Sequence, residues 1–144
     1  MIRILLAVND SPAGLAAART AIWLAQQSAG QIRAVHVLGE PGASPSRRGG
    51  AARAEAEDCR PEDVAPILKY VTGLADRAGV SLDTRTIRGQ PARSILDQAA
   101  AWNTDVIVLG RSGVRHVGQP FVGSSVLNVL EFAEVPVVVV PAPA

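Results

Sequence analysis

Five short apolar runs, separated by segments of helical periodicity, restrict the fold of this 144-residue chain more than any other feature. Most of the runs are apolar on both faces of an extended chain, which is typical of strands in a parallel sheet that is covered on both sides. The third run is the most polar. The sequence predicts strands at residues 2–8, 32–38, 80–88, 105–109 and 136–140.

The segments between the runs begin and end with recognised helix signals. Ser11 is suited to an N-cap with Pro12 at the first helical position, and Pro61 and Pro91 stand at two further starts. Gly30 and Gly79 are suited to the C-terminal stops of the first two helices. The helices are predicted at residues 12–29, 61–78, 91–102 and 124–133.

This alternation of strands and helices predicts an α/β fold with a doubly wound parallel sheet. Right-handed crossovers and one reversal of direction give five strands the order 3-2-1-4-5. The reversal then lies between strands one and four. Ligands of open α/β sheets bind outside the carboxyl ends of the strands at such a point, which here means Asn9, Asp10 and Gly110.

Length and composition predict one globular domain over residues 1–144. Apolar residues make up 48% of the chain and charged residues 19%, which argues against disorder. The net charge of +1 favours neither nucleic acid nor a membrane surface as a partner. The single cysteine, Cys59, excludes an internal disulfide.

No apolar run is long enough to span a bilayer and no signal peptide is recognisable, so we expect a cytoplasmic protein. Residues 39–60 are predicted to be a variable, flexible insertion.

The common nucleotide-binding motifs are missing. A P-loop requires a lysine after its glycines, and the only lysine, Lys69, falls in a predicted helix. The segment from Asn9 to Gly14 does not match the G-x-G-x-x-G fingerprint of dinucleotide-binding proteins.

The loop after strand four has the chemistry of a phosphate site. Gly110 and Gly113 allow backbone N–H groups to approach an anion, and Gly123-Ser124-Ser125 begins the next helix, whose free N–H groups favour negative charge. Arg111 and Arg115 either reach the phosphates or face solvent. The alternative is a glycine-rich turn with ordinary serine capping.

The chain resembles the universal stress protein family over nearly its whole length. Residues 4–11 are similar to the family's V-A-V-D-G-S start, and residues 89–91 and 105–110 match further blocks. The family's G-x-x-G-x9-G-[S/T] pattern marks its ATP-binding branch. This chain meets the pattern with Gly110, Gly113, Gly123 and Ser124. The family's fold is a Rossmann-like sheet of the adenine-nucleotide alpha-hydrolase type, with the same strand order.

The resemblance implies a site for ATP, ADP or AMP. The glycines and serines would hold the phosphates and ribose, the end of strand one would line the adenine and ribose, and the backbone of Val37 would meet the adenine edge. The residues expected to bind nucleotide are Ala7, Val8, Asn9, Val37, Gly110, Arg111, Gly113, Gly123, Ser124 and Ser125.

Two departures from the family pattern bear on metal binding. Asn9 stands where the family has an aspartate, so it can bond to a ribose hydroxyl but carries no charge for Mg²⁺ or Mn²⁺. Asp10 replaces a glycine and brings a carboxylate near the site.

Neither histidine has a partner for a metal site. His36 is interpreted as a packed strand residue, and His116 as a solvated loop residue or a ligand contact.

Three functions follow as alternatives. The first is a regulatory, non-enzymatic protein whose state depends on bound ATP or ADP. The second is a slow ATPase or phosphotransferase, although the sequence shows neither a lysine nor a carboxylate pair at the loop. The third is an interaction module that uses no nucleotide.

Strand five carries four valines and no charge, so we also expect a homodimer through residues 136–141, as family members commonly form.

Overall fold

A computed structural model describes residues 1–38, 65–111 and 124–143 of the chain. The strands in these ranges are β1 (Arg3–Ala7), β2 (Gln31–Leu38), β3 (Ser81–Arg88), β4 (Val106–Gly110) and β5 (Val137–Val140). The helices are α1 (Pro12–Ser28), α2 (Pro66–Ala78), α3 (Pro91–Ala101) and α4 (Ser124–Phe132). The strands form one parallel sheet in the order β3-β2-β1-β4-β5, which confirms the predicted topology.

Helices cover both faces of this sheet. On one face, α1 and α2 pack against a cluster that includes Ile4, Leu6 and Val108. On the other face, α3 and α4 pack against Leu5 and Ile107. Neighbouring residues of one strand therefore enter opposite cores, which explains why the central runs are apolar without alternation.

Two helix boundaries differ from the prediction. The helix α2 begins at Pro66 rather than Pro61, with Ala65 as an extended N-cap at φ −59° and ψ 142°. A proline disfavours helical backbone at the residue before it, so α2 cannot extend through Ala65 toward the N-terminus. The helix α1 ends on Ala29, which adopts a left-handed conformation with φ 55°. Gly30 has another role, since a Cβ there would lie 2.8 Å from the Ile2 carbonyl oxygen.

The other termini follow the predicted chemistry. The Ser11 Oγ atom accepts a hydrogen bond from the Gly14 N–H at 3.0 Å, as an N-cap does. Gly79 ends α2 with φ 73°. The predicted insertion at residues 39–60 lies outside the described residues. None of the described helices is long and apolar enough to cross a membrane.

Candidate functional site

The carboxyl ends of β1 and β4 lie side by side at the reversal of strand order. Ala7 is paired with Val35 of β2 on one side and with Leu109 of β4 on the other. Helices that follow adjacent strands diverge to opposite faces here, because α1 covers one face and α4 the other. This is the position at which open α/β sheets bind ligands.

Val8 is buried, and β2 anchors its backbone on both sides. Its N–H donates to the Val35 carbonyl at 3.0 Å. Its carbonyl oxygen lies 3.1 Å from the Nδ1 atom of His36, which must carry the proton because a carbonyl can only accept. His36 is therefore more than a packed strand residue, since it holds the end of β1 in place. Sequence spacing alone contained no signal for this contact across 28 positions.

Asn9 is exposed, and its side chain is turned toward the start of α1. Its Oδ1 atom accepts from the Ser11 N–H at 3.0 Å and from the Ser11 hydroxyl at 2.6 Å. A Cβ on Gly14 would collide with Oδ1 and with the backbone of Asn9, so this turn requires glycine at position 14. With Oδ1 engaged in this way, what Asn9 offers a ligand is its amide N–H donors.

Gly110 ends β4 directly beside the first turn of α1. A Cβ on Gly110 would lie 2.7–2.9 Å from the carbonyl carbon, carbonyl oxygen and Cβ of Ala13, which leaves no room for it. The next residue, Arg111, is half-buried, and its N–H donates to the Val140 carbonyl at 2.7 Å. The structure thus gives Gly110 a packing role that the phosphate argument had not identified.

Three of the remaining predicted residues fall within the described part of the chain. Val37 is half-buried near the end of β2, on the face that α3 and α4 cover. Ser124 is exposed and Ser125 half-buried in the first turn of α4, where backbone N–H groups lack helical partners. Gly113 and Gly123 lie outside the described residues, as do Cys59, Arg115 and His116.

The chemistry of the described edge is that of hydrogen-bond donors more than of metal ligands. The amide of Asn9, the guanidinium of Arg111 and the first turn of α4 all favour electron-rich ligand atoms. Asp10 is exposed and is the carboxylate closest in sequence to the end of β1. Within the described ranges, no three His, Cys, Asp or Glu side chains form a group that could hold a metal ion.

Comparison with known proteins identifies the chain's relatives. Residues 1–141 match the universal stress protein family. The universal stress protein MJ0531 of Methanocaldococcus jannaschii is 28% identical over 141 residues, covering 98% of this chain and 82% of that protein.

Solved structures share the fold. The hypothetical protein MJ0577 superposes with a TM-score of 0.77 at 17% identity, over 99% of this chain and 97% of the other. A universal stress protein in complex with cAMP gives 0.70 at 20% identity, over 99% and 98%. An Arabidopsis thaliana member with AMP bound gives 0.67 at 17% identity, over 100% and 93%.

Proposed function

Because this chain belongs to the universal stress protein family, we propose that it is a regulatory protein that binds an adenine nucleotide at the carboxyl ends of β1 and β4. The observation that carries the proposal is the donor-rich edge at the reversal of strand order, formed by the end of β1, Gly110 and the first turn of α4. The cAMP and AMP complexes of two structural neighbours support the ligand class. ATP or ADP is the expected ligand, because the sequence has the full G-x-x-G-x9-G-[S/T] pattern.

The described residues suit distinct parts of such a ligand. Val8 is held by β2 and His36 on either side of its peptide, so it provides a rigid wall beside the ribose and adenine. We propose that the backbone of Val37 meets the adenine edge. The first turn of α4, with Ser124 and Ser125, provides N–H and hydroxyl donors for phosphate oxygens.

Asn9 makes the proposed site less dependent on Mg²⁺ or Mn²⁺ than an aspartate would. Its amide is neutral, and its oxygen already accepts two hydrogen bonds from Ser11. In Asn9→Asp, one carboxylate oxygen would keep those bonds while the second would be available to a cation. ATP affinity of the variant should therefore rise when Mg²⁺ or Mn²⁺ is added, more than it does for the wild type. Equal affinity with and without metal in both proteins would contradict this interpretation.

Calorimetric titration with ATP, ADP, AMP and cAMP tests the function directly. Ser124→Ala should weaken ATP binding by about 1 kcal/mol, the scale of one lost hydrogen bond, and Gly123→Val should abolish it. Ser81→Ala, at an exposed position at the start of β3, serves as the matched control. If Gly123→Val binds ATP as the wild type does, the proposed site is wrong.

Mass spectrometry of the denatured, freshly purified protein separates the alternative functions. Co-purified ATP or ADP supports the regulatory function, and turnover of that nucleotide on incubation would favour the slow ATPase or phosphotransferase. Absence of bound nucleotide and of binding by calorimetry would favour an interaction module.

We further propose that the protein acts as a cytoplasmic homodimer through β5. This strand is the sheet edge, and Val137, Val138 and Val139 remain partly exposed along it. The opposite edge, β3, is protected by charge, because Asp83 accepts both Arg33 guanidinium contacts at 3.1 Å and lies 3.6 Å from Arg85. An uncharged edge can pair with a second copy, whereas a charged one resists it.

A further inference from the structure

A cavity of about 500 Å³ opens between α3 and α4, at the end of the sheet opposite the proposed nucleotide site. It lies at the amino ends of β4 and β5, since Thr104 and Val135, two of its lining residues, precede those strands. The length of β4, five residues, separates the two ends by about 16 Å. Its volume is within the range of about 300–1,000 Å³ that small-molecule sites occupy.

Apolar side chains form about half of the wall of this cavity, and Asn103, Thr104 and Glu134 contribute polar groups. Leu96 lines it from α3, Ile107 from β4, and Phe132 and Val135 from the end of α4 and the connection to β5. Phe132 is 63% exposed, so a large aromatic side chain at the cavity is left without cover. A ligand that covered it would gain the hydrophobic free energy that the chain itself does not use.

One polar group in the wall has no partner within the described part of the chain. Thr104 is only 6% exposed, and among the described residues its hydroxyl oxygen has no hydrogen-bond partner. Buried hydroxyls are nearly always bonded in native proteins, so this one indicates a missing partner. The oxygen has almost no accessible surface in the conformation described, so a ligand in the cavity would meet it only after rotation about the single χ1 bond of Thr104, which moves the hydroxyl among three staggered positions.

Charge restricts the ligand class further. Among the described residues that line the cavity, Glu134 is the one ionisable side chain, and none is an arginine or a lysine. An anionic ligand, such as a fatty acid or a nucleotide, would have no cation to pair with and would be repelled by the glutamate. A neutral or cationic molecule with an apolar body and one hydrogen-bond donor matches the apolar side chains, the Thr104 hydroxyl and Glu134, while the amide of Asn103 can donate or accept.

We propose that this cavity is a second ligand site, which takes a small, neutral or cationic, mainly apolar molecule and bonds it through the Thr104 hydroxyl. The site shares no residue with the nucleotide site, so it stands or falls independently of the proposed function.

N-phenyl-1-naphthylamine is a suitable probe, because it is neutral, carries one N–H donor and fluoresces strongly only in apolar surroundings. We expect a saturable rise in fluorescence. ATP at 5 mM, about a thousand times a Kd in the micromolar range, should not reverse this rise. Ala100→Phe, at an exposed position on the cavity wall, should abolish the rise. Thermal unfolding of the variant checks that it is folded.

The hydroxyl has its own test. Thr104→Val keeps the side-chain shape and should weaken binding of the probe roughly fivefold, the loss of one hydrogen bond. It should not change binding of the N-methylated probe, which has no donor. Thr72→Val is the control, because that hydroxyl donates to Leu68 on the opposite face of the sheet.

Four results would overturn the proposal. The first is the absence of saturable fluorescence, and the second is unchanged binding in Ala100→Phe. The third is probe binding that appears only when the protein is diluted to monomers in a sedimentation experiment, because a second copy of the chain would then cover this surface. Displacement of the probe by ATP would equally assign its binding to the nucleotide edge and contradict the second site.

Discussion

Gly110 provides the sharpest test of how the proposed site is built. Its substitution by alanine would place a Cβ 2.7 Å from the carbonyl carbon and 2.8 Å from the carbonyl oxygen of Ala13. Both are backbone atoms at the start of α1, so they cannot move aside as a flexible side chain would. The whole first turn of α1 must shift, together with the end of β4.

The cost is that of overpacking a closely packed interior, about 1–3 kcal/mol of unfolding free energy. For a chain of this size we therefore expect the midpoint of thermal unfolding of Gly110→Ala to fall by roughly 2–12 °C. The backbone conformation contributes nothing to this cost, because among the described glycines only Gly79 and Gly89 have positive φ.

Gly73→Ala is the matched control. Gly73 lies inside α2, and a Cβ there would meet only the Arg77 Nη1 atom at 3.8 Å, an ordinary contact. The same substitution should stabilise the protein at this position by about 0.5–1 kcal/mol, since alanine favours a helix over glycine. Differential scanning calorimetry without nucleotide measures both variants. If Gly110→Ala unfolds at or above the wild-type temperature, the close approach to Ala13 does not constrain the site.

Three further outcomes follow from single contacts. Ser11→Ala should lower the unfolding free energy by about 1 kcal/mol in a urea titration, because it removes the N-cap of α1. An unchanged unfolding midpoint would contradict the capping role. Trp102→Leu should lower the unfolding free energy by about 1–2 kcal/mol, because the guanidiniums of Arg33 and Arg3 lie 4.8 and 5.7 Å from the centre of the indole ring. If the loss persists when both arginines are also replaced, a cation–π origin is contradicted. Val138→Lys and Val139→Lys should each weaken the proposed dimer in light scattering, and one of the two should act more through the core it contacts, since Val138 and Val139 pack against opposite cores. A wild type that is monomeric at micromolar concentration would refute the dimer.

The amino-acid sequence by itself determined the order of the elements, the strand topology and most helix ends. These features depend on neighbouring residues: apolar runs indicate buried strands, Ser11 and Gly79 act on their own helices, and the rules of chain connection leave one common sheet order. The family pattern in the loop after β4 likewise lies within fifteen consecutive positions, 110–124, and is recognisable from the sequence alone.

The tertiary structure alone decided how the edge of the sheet is held together. The proton of His36 is donated to a carbonyl 28 positions away, and Gly110 is required by a helix nearly a hundred positions earlier. The burial of the Thr104 hydroxyl without a partner among the described residues could not be recognised until α3, α4 and β4 were packed around it. Contacts of this kind depend on distances of a few tenths of an ångström between residues remote in sequence, and only the packed chain defines those distances.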